Sequence, residues 1–342
     1  MNLIRKGELA KKILITDGLP GCGKTMLSPI LSSLNRVEMY YFAFEIEFIL
    51  RMSSFKKIKK DAAISLIRML TDYKLYNSMM SREINLRDLD LSSVTRHHNY
   101  KNYIKRLKSK GDKLVPKKIK YEKPILHLTT HDLLNYSELL VSALKSRLTY
   151  VELIRHPIDM INQQRLNMIN HYDNPRSIQV EFDYQNKPLP YWAITWKKDF
   201  MQNNNINRAI LNIEKMYKLN LKNRKKIKLK LKKNFISVPF EKFVIDPNRY
   251  IEKISRALRT SSNKFTKLEL IKQNIPRDFF FNTPQTELYK SAGGSLSAVS
   301  SREEDIKRKI KLFIKKGASK KNIKKIIDLS KHYENNFLKN DK

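Results

Sequence analysis

Short apolar runs alternate with helix-like patterns along this chain. The apolar runs are KILIT (12–16), PILHLTT (124–130), LTYVELI (148–154) and FISVPF (235–240). Each run precedes a segment whose apolar side chains recur at helical spacing. Strands that alternate with helices indicate parallel crossover units. We therefore predict an α/β fold, with an open and mainly parallel sheet that carries helices on both faces.

The same patterns suggest how the chain is organised around that sheet. We predict one α/β domain over residues 1–342, with a mostly helical insertion at 40–110. Residues 301–338 predict two basic helices at the C-terminal end, with Gly317 ending the first and Ser319 capping the second.

An aromatic cluster falls at PLPYWAITW (188–196), which predicts the start of a helix. Tyr191, Trp192 and Trp196 would lie near one another there, either packed into the core or arranged as a platform for a sugar ring.

Composition narrows the class of protein. A chain of 342 residues can bury a sizeable core without a disulfide or a structural metal. Its only cysteine, Cys22, has no partner for a disulfide. The N-terminus does not resemble a signal peptide, and no apolar run reaches the length of a membrane span. We therefore expect a cytoplasmic protein.

The charge of the chain is strongly positive. Its 69 basic and 33 acidic residues give a formal charge of +36, which attracts polyanions. The densest run, KNRKKIKLKLKKN (222–234), suits an acidic glycan or a nucleic acid, but it also suits a solvated lysine-rich connection. Because the run contains no aromatic residue for base stacking, we do not expect a nucleic-acid partner. Polyanion binding without catalysis stays an alternative.

A phosphate-binding loop is predicted between the first strand and the first helix. Residues Gly18 to Thr25 satisfy the pattern G-x-x-x-x-G-K-[ST] in the strand–loop–helix context that this pattern requires. The glycines allow backbone N–H groups to surround an anion, and Lys24 adds a positive charge at its outer oxygens.

A kinase or an NTPase with such a loop also needs a magnesium ligand. That ligand is typically an acidic residue at the end of a neighbouring apolar strand. Asp132, or Asp17 at the end of the first strand, is the available residue. A P-loop kinase or NTPase that uses ATP or GTP therefore stays an alternative.

The segment after the third apolar run resembles a known family. In LTYVELIRHPIDM, Arg155 follows the strand and Pro157 begins a helix. A strand followed by Arg-x-Pro and a helix, downstream of a phosphate loop, resembles a motif of the sulfotransferases. A second segment, 236–258, is similar to another sulfotransferase motif, with matches at Phe240, Glu241, Asp246 and Pro247. The resemblance covers the loop, residues 123–170 and about 189–260.

The resemblance implies a donor and a set of residues that bind it. The donor would be 3′-phosphoadenosine 5′-phosphosulfate (PAPS). Lys24 would contact the bridging oxygen, Arg155 the 3′-phosphate, and Gln163 would replace the serine that the family usually has eight residues after the arginine. The implied nucleotide-binding set is Gly18, Gly21, Cys22, Gly23, Lys24, Thr25, Met26, Arg155 and Gln163. KSAGGSLS (290–297) is the counterpart of the family's C-terminal glycine loop.

A base for the acceptor is predicted at the end of the second strand. His131 follows Thr130 there, as in the Thr-His pair of many sulfotransferases, whereas His127 within the strand is expected to pack. The implied function is transfer of a sulfonate group from PAPS to a hydroxyl or amine, with a glycan among the acceptors considered. Aligning donor and acceptor requires no metal.

Overall fold

The computed structural model describes residues 1–90, 92–111, 113–173, 178–281 and 301–339. The chain divides into two compact units. The first unit comprises Met1–Ile154, Lys218–Val238 and Asn248–Gln273. The second comprises Arg155–Tyr217, Pro239–Pro247 and Asn274–Lys342.

A mainly parallel sheet organises the first unit. The strands along the chain are β1 Ile13–Asp17, β2 Tyr41–Phe42, β3 Leu126–Thr129, β4 Leu148–Ile154, β5 Glu181–Asp183, β6 Pro188–Pro190 and β7 Phe235–Pro239. Five of them form one sheet in the order β2-β3-β1-β4-β7. Strand β1 pairs in parallel with both β3 and β4, and β2 pairs in parallel with β3. The predicted α/β fold with a mainly parallel sheet is confirmed.

Helices fill most of the remaining described chain. The α-helices are α1 Lys24–Ser32, α2 Phe44–Ser54, α3 Lys60–Met80, α4 Tyr100–Leu107, α5 Val115–Glu122, α6 Ser137–Leu144, α7 Pro157–Asp173, α8 Lys197–Gln202, α9 Asn205–Leu231, α10 Phe240–Ile245, α11 Pro247–Leu258, α12 Lys264–Lys272, α13 Arg302–Lys315 and α14 Lys320–Tyr333. Among these helices, none combines the length and the apolar character that a bilayer crossing requires.

The apolar runs are continuous because the central strands are buried on both faces. All residues of β1 and β4 are buried, as is usual for parallel strands covered by helices. One hydrophobic cluster joins these strands to the helices beside them and includes Ile13, Ile46, Ile67, Leu128, Leu140 and Tyr150.

His127 packs inside the first unit, as predicted. Its Nε2 lies 2.8 Å from the Thr16 hydroxyl, and its Nδ1 lies 2.8 Å from the Ser32 hydroxyl. Burial and the neighbouring His97 lower the pKa of His127 to about 3. The ring is therefore neutral at physiological pH and links β1, β3 and α1 through hydrogen bonds.

The second unit contains an antiparallel pair of strands and several helices. β5 pairs with β6, and residues Tyr191–Trp196 then form a 3₁₀ helix. The helix predicted from 188 therefore starts later: Pro188–Pro190 is a strand, where proline fixes φ and provides no N–H for a helix. Trp196 is buried against Phe200, with ring centroids 5.5 Å apart, which favours the core-packing interpretation.

Two basic helices, α13 and α14, occur near the C-terminal end. Gly317 follows α13 with φ +84°, and the Ser319 hydroxyl caps α14 by accepting from the Asn322 N–H at 3.3 Å. Asp159 of α7 lies 3.0 Å from Arg302 and 2.6 Å from Lys309, both in α13. Burial raises the pKa of Asp159, but these two cations outweigh it and hold the pKa far below its usual range.

Candidate functional site

The glycine loop joins β1 to α1 through a backbone that only glycine adopts easily. Gly18, Gly21 and Gly23 have φ values of +155°, +89° and +104°. A Cβ on Gly18 would meet the Leu153 carbonyl oxygen and would lie 2.7 Å from Cys22 Sγ. A tight turn therefore joins β1 to α1, and its first glycine is required by close packing against β4.

Unused backbone donors lie where the loop meets α1. The N–H groups of Met26 and Leu27 donate to the Gly23 carbonyl, at 3.0 and 3.2 Å. In the described ranges, those of Gly23, Lys24 and Thr25 donate to no backbone carbonyl. Such a group of donors at a helix N-terminus suits an anionic oxygen.

Lys24 places its charge inside the loop. Its Nζ donates to the Gly18 carbonyl at 2.6 Å and to the Leu19 carbonyl at 3.2 Å, and the residue is 5% exposed. Thr25 is exposed on the first turn of α1, whereas Met26 is buried. The ammonium group and the backbone donors therefore lie on the same short segment of chain.

Asp17 and Asp132 lie next to this loop. The Asp17 carboxylate accepts from the Thr130 hydroxyl at 2.8 Å, from the Leu133 N–H at 3.0 Å and from the Tyr150 hydroxyl at 2.5 Å. The Asp132 N–H donates to the Gly18 carbonyl at 3.3 Å, which is the carbonyl that Lys24 also contacts. Burial, together with the charge of Asp17, raises the pKa of Asp132 to about 7.

His131 is held by a buried ion pair. Its Nδ1 lies 3.1 Å from Oε1 of Glu47, and Glu47 is paired with Arg51 at 2.9 Å. A carboxylate oxygen beside Nδ1 favours the tautomer that has its proton on Nδ1 and its lone pair on Nε2. Nε2 forms no hydrogen bond among the described residues. Glu47 thus orients the imidazole through Nδ1.

Aromatic rings fix the plane of the His131 imidazole. The ring stacks on Phe42 and Phe44, with centroids 5.9 and 5.7 Å apart and interplanar angles of 13° and 11°. The His131 side chain is 29% exposed. The imidazole is thus oriented by stacking and by Glu47 while part of it faces solvent.

In the second unit, Arg155 stacks on the second sulfotransferase-like segment. Its guanidinium lies 4.2 Å from the centroid of the Phe240 ring, and the Arg277 guanidinium lies 5.8 Å from the same ring. Burial and the charge of Arg155 lower the pKa of Arg277 to about 10. Two guanidinium groups therefore converge on one aromatic ring, an arrangement that suits a doubly charged anion.

Glu241 fixes the residue that follows Arg155. Its Oε1 accepts from the His156 N–H at 2.8 Å, and its Oε2 accepts from the Tyr333 hydroxyl at 2.5 Å. His156 is buried, and its Nε2 lies 3.1 Å from a Glu334 carboxylate oxygen. The two sulfotransferase-like segments thus contact each other through Phe240 and Glu241.

Two further parts of the predicted site are less informative. Gln163 lies exposed on α7, and its Nε2 donates to Asn167 at 3.2 Å. The predicted glycine-rich counterpart, KSAGGSLS, lies outside the described residues. In the parts of the chain that are described, no three His, Cys, Asp or Glu side chains converge as a metal site would require.

Two functional candidates were missed by sequence reasoning. Arg277 lies in the segment NIPRDFFF (274–281), which matches no recognisable motif, so no local signal identifies it. Glu47 interrupts an apolar stretch, VEMYYFAFEIEFILRM, and that interruption was a signal for a buried, paired carboxylate.

Comparison with known proteins finds likeness among solved structures. No family model and no curated protein matches this chain. The sulfotransferase domain from the curacin biosynthetic pathway is 12% identical, with a TM-score of 0.42 over 89% of this chain and 97% of that one. The sulfotransferase domain of the Synechococcus PCC 7002 olefin synthase is 12% identical, with a TM-score of 0.40 over 92% and 98%. Mouse SULT7A1, complexed with PAP, is 11% identical, with a TM-score of 0.36 over 98% and 87%. These identities are too low to transfer residue roles.

Proposed function

We propose that this chain is a sulfotransferase that moves a sulfonate group from PAPS to a hydroxyl or amine acceptor. One observation carries the proposal: groups suited to anions occur in two sets, the glycine loop with Lys24 and the arginine pair Arg155 and Arg277. A nucleoside triphosphate presents its phosphates as one chain, whereas PAPS carries phosphate groups on two different ribose positions.

The glycine loop would hold the 5′-phosphate. The N–H groups of Gly23, Lys24 and Thr25 are the donors for its oxygens, and they need no rearrangement of the helix to be used. Lys24 would stabilise the negative charge that develops on the bridging oxygen as the sulfonate leaves.

The arginine pair would hold the 3′-phosphate. Phe240 supports the Arg155 guanidinium from one side, and Glu241 fixes the adjacent backbone. Bringing Arg155 near Arg277 costs electrostatic energy, which a doubly charged phosphate would offset.

His131 would accept the proton of the acceptor. PAPS supplies the sulfonate, whose bond to the bridging oxygen breaks as the acceptor attacks. Nε2 of His131 takes the acceptor proton, and Glu47 stabilises the imidazolium that forms at Nδ1. The acceptor proposed is a hydroxyl or an amine, and a glycan is one class that supplies both.

The carboxylates beside the loop favour this proposal over a magnesium-dependent kinase or NTPase. Asp17 already accepts from Thr130, Leu133 and Tyr150. Asp132, whose pKa is raised to about 7, is partly protonated at neutral pH and is a weak ligand for a hard cation in that form.

Calorimetry with 3′-phosphoadenosine 5′-phosphate (PAP) and with ADP tests the proposal, because only PAP has the 3′-phosphate. We expect PAP to bind without magnesium and more tightly than ADP, by about 10-fold or more. Arg155→Ala should reduce the affinity for PAP to that for ADP. Arg165→Ala, which removes another arginine of the second unit, is the matched control and should change neither affinity.

Two results would count against the proposal. Equal affinities of the parent protein for PAP and ADP would remove the role of the arginine pair. Magnesium-dependent hydrolysis of ATP that Asp132→Asn abolishes would establish the kinase or NTPase alternative instead.

A further inference from the structure

A second cluster of cations lies in the first unit, away from the glycine loop. We call Lys12, Arg36, Lys233 and Arg259 the amino-edge patch. Lys12 immediately precedes β1, and Lys233 lies two residues before β7. The glycine loop leaves β1 at its other end, and five residues of strand span about 16 Å. The patch and the loop are therefore at opposite ends of the same strand.

Hydrogen bonds to backbone carbonyl groups connect the segments that carry Lys12, Arg36 and Arg259. The Leu126 N–H donates to the Lys12 carbonyl at 3.1 Å, and the neighbouring Ile125 N–H donates to the Arg36 carbonyl at 2.7 Å. The Arg36 guanidinium donates to the Lys123 carbonyl at 3.1 Å and to the Arg259 carbonyl at 2.5 Å. Arg36 is thereby held between two loops, and the other N–H groups of its guanidinium donate to no atom of the described residues.

The patch contains no compensating negative charge. Within the described residues, the side chains of Lys12, Arg36, Lys233 and Arg259 form no salt bridge. Lys12 is half-buried, and burial lowers its pKa, as do the charges of Arg259, Lys233 and Arg36. Other cations of this unit are paired, for example Arg106 with Glu38 at 2.7 Å and Arg224 with Glu152 at 2.7 Å.

We propose that the amino-edge patch binds a compact, multivalent phosphate group, either inorganic polyphosphate or the phosphate chain of a nucleotide. The four cations come from four separate segments, with the Arg36 guanidinium against the Arg259 carbonyl and with Lys12 and Lys233 at the starts of two strands. Three of them, Arg36, Lys233 and Arg259, act on the half-buried Lys12, so the charge is concentrated rather than spread along a groove. Arginine forks and lysine point charges are the groups that recognise phosphate oxygens. This proposal does not depend on the sulfotransferase proposal.

The test measures binding of inorganic tripolyphosphate, and separately of ATP, to the full chain carrying Lys24→Ala. That background removes the lysine of the glycine loop and so weakens phosphate binding there, and the further substitutions at Lys12 and Lys233 identify the binding that belongs to the patch. We expect binding at low ionic strength, weakened about 10-fold or more when Lys12→Gln and Lys233→Gln are added. The matched control adds Lys222→Gln and Lys228→Gln, two exposed lysines of α9, and should change the affinity less than about 2-fold.

A thermal melt keeps the test decisive. Because neutralising Lys12 and Lys233 relieves repulsion, this double variant should melt at a higher temperature than its background in phosphate-free buffer. It should also lose the rise in melting temperature that tripolyphosphate gives. Binding of tripolyphosphate but not ATP would assign inorganic polyphosphate, and competition between the two would assign the phosphate chain of a nucleotide.

Two outcomes would overturn the proposal. One is the absence of measurable tripolyphosphate and ATP binding in the Lys24→Ala background. The other is binding that the Lys12 and Lys233 substitutions leave unchanged. Whether the Lys24→Ala variant has lost its affinity for PAP does not affect either outcome.

Discussion

The glycine loop and the Arg155 segment are built in opposite ways. The loop lies within eight consecutive residues, and its donors are backbone N–H groups exposed by the turn from β1 into α1. The Arg155 segment depends on residues far along the chain, namely Phe240, Glu241, Arg277 and Tyr333. The loop is therefore a local structure. The second region, which we call the arginine site and which consists of Arg155 and these four partners, is made by tertiary contacts.

This difference determines how each region should respond to substitution. In the loop, conformation is the constraint, since Gly18 has a φ of +155° and no room for a Cβ. In the arginine site, hydrogen bonds and stacking orient a side chain on ordinary helix-entry backbone. A single added atom should therefore destabilise the glycine loop. A single lost hydrogen bond should weaken anion binding at the arginine site.

Gly18→Ala should have the largest effect. The added Cβ would meet the Leu153 carbonyl oxygen and Cys22 Sγ, and alanine disfavours the required φ. We expect the free energy of unfolding to fall by about 3 kcal/mol, as for other strained and overpacked sites. Urea denaturation measures the change.

Gly7→Ala provides the control for this substitution. A Cβ on Gly7 would lie no closer than 3.4 Å to the flexible side chain of Arg5. Its stability should stay within about 0.5 kcal/mol of the parent. An equal loss in both variants would show that the loop is no more constrained than other turns of the chain.

The loop and the strands were predictable because their signals are local. The G-x-x-x-x-G-K-T pattern and the continuous apolar runs of β1 and β4 are read from adjacent residues. Strand β2 was missed because it has only two residues, Tyr41 and Phe42, and takes its place by pairing with β3. Its position depends on a partner 87 residues away in the chain, because Tyr41 pairs with Leu128, and no local pattern contains that partner.

His131→Asn tests whether the unit that contains the glycine loop also supplies the base that accepts the acceptor's proton. Asparagine keeps a polar group beside Glu47 but provides no basic nitrogen. We expect the release of PAP from PAPS, in water or with an added acceptor, to slow by about 100-fold, and the affinity for PAP to stay unchanged. Rates at several pH values would show the loss of a titrating base.

His98→Asn is the matched control. His98 lies in the same unit and stacks on Phe265, with centroids 4.6 Å apart, and we give it no role in the reaction. It should leave the rate within about 2-fold of the parent. If His131→Asn behaved like His98→Asn, another group would have to accept the proton.

Glu241→Gln should have a smaller effect, on the arginine site. The neutral side chain accepts more weakly from the His156 N–H and from the Tyr333 hydroxyl, so the backbone beside Arg155 is held less firmly. We expect PAP affinity to fall about 10-fold while ADP affinity stays unchanged. Calorimetry separates the two effects.

Tyr333→Phe sharpens this expectation, because it removes only one of the two donors to Glu241. We expect its PAP affinity to be about 3-fold below that of the parent, which is a smaller fall than that of Glu241→Gln. Equal losses for PAP and ADP in either variant would indicate general destabilisation rather than release of Arg155.

The arginine site shows where sequence reasoning stops. Arg155 was predicted because its place after a strand and before Pro157 resembles a sulfotransferase motif, and that order is local. Arg277 and Tyr333 were not found, because their place at the site depends on how distant segments pack. The role of Glu241 beyond its motif position, as the acceptor for His156 and Tyr333, likewise requires the fold.

The two regions also differ in how they compensate a buried carboxylate. Asp159 in the second unit is paired with Arg302 and Lys309, at 3.0 and 2.6 Å. Asp132, beside the loop, has as hydrogen-bond donors among the described residues only the side-chain amides of Asn135 and Asn220, at 3.3 and 3.4 Å. Neutral donors offset less of the desolvation cost than cations do.

Asp132→Asn tests this last difference, and its effect should depend on pH. Burial and the charge of Asp17 raise the pKa of Asp132 from 3.8 to about 7. Between about pH 4 and pH 7 the folded chain therefore retains a proton that the unfolded chain releases, so stability falls as the pH rises through this window. Asparagine is neutral throughout and should escape this loss. At pH 8 we expect the free energy of unfolding of the variant to exceed that of the parent by on the order of 1 kcal/mol, with no gain at pH 4.

Asp61→Asn is the comparison, because the Leu3 N–H lowers the pKa of Asp61 and confines its effect to acidic pH. A stability difference for Asp132→Asn that did not change between pH 4 and pH 8 would mean that Asp132 is compensated as fully as Asp159.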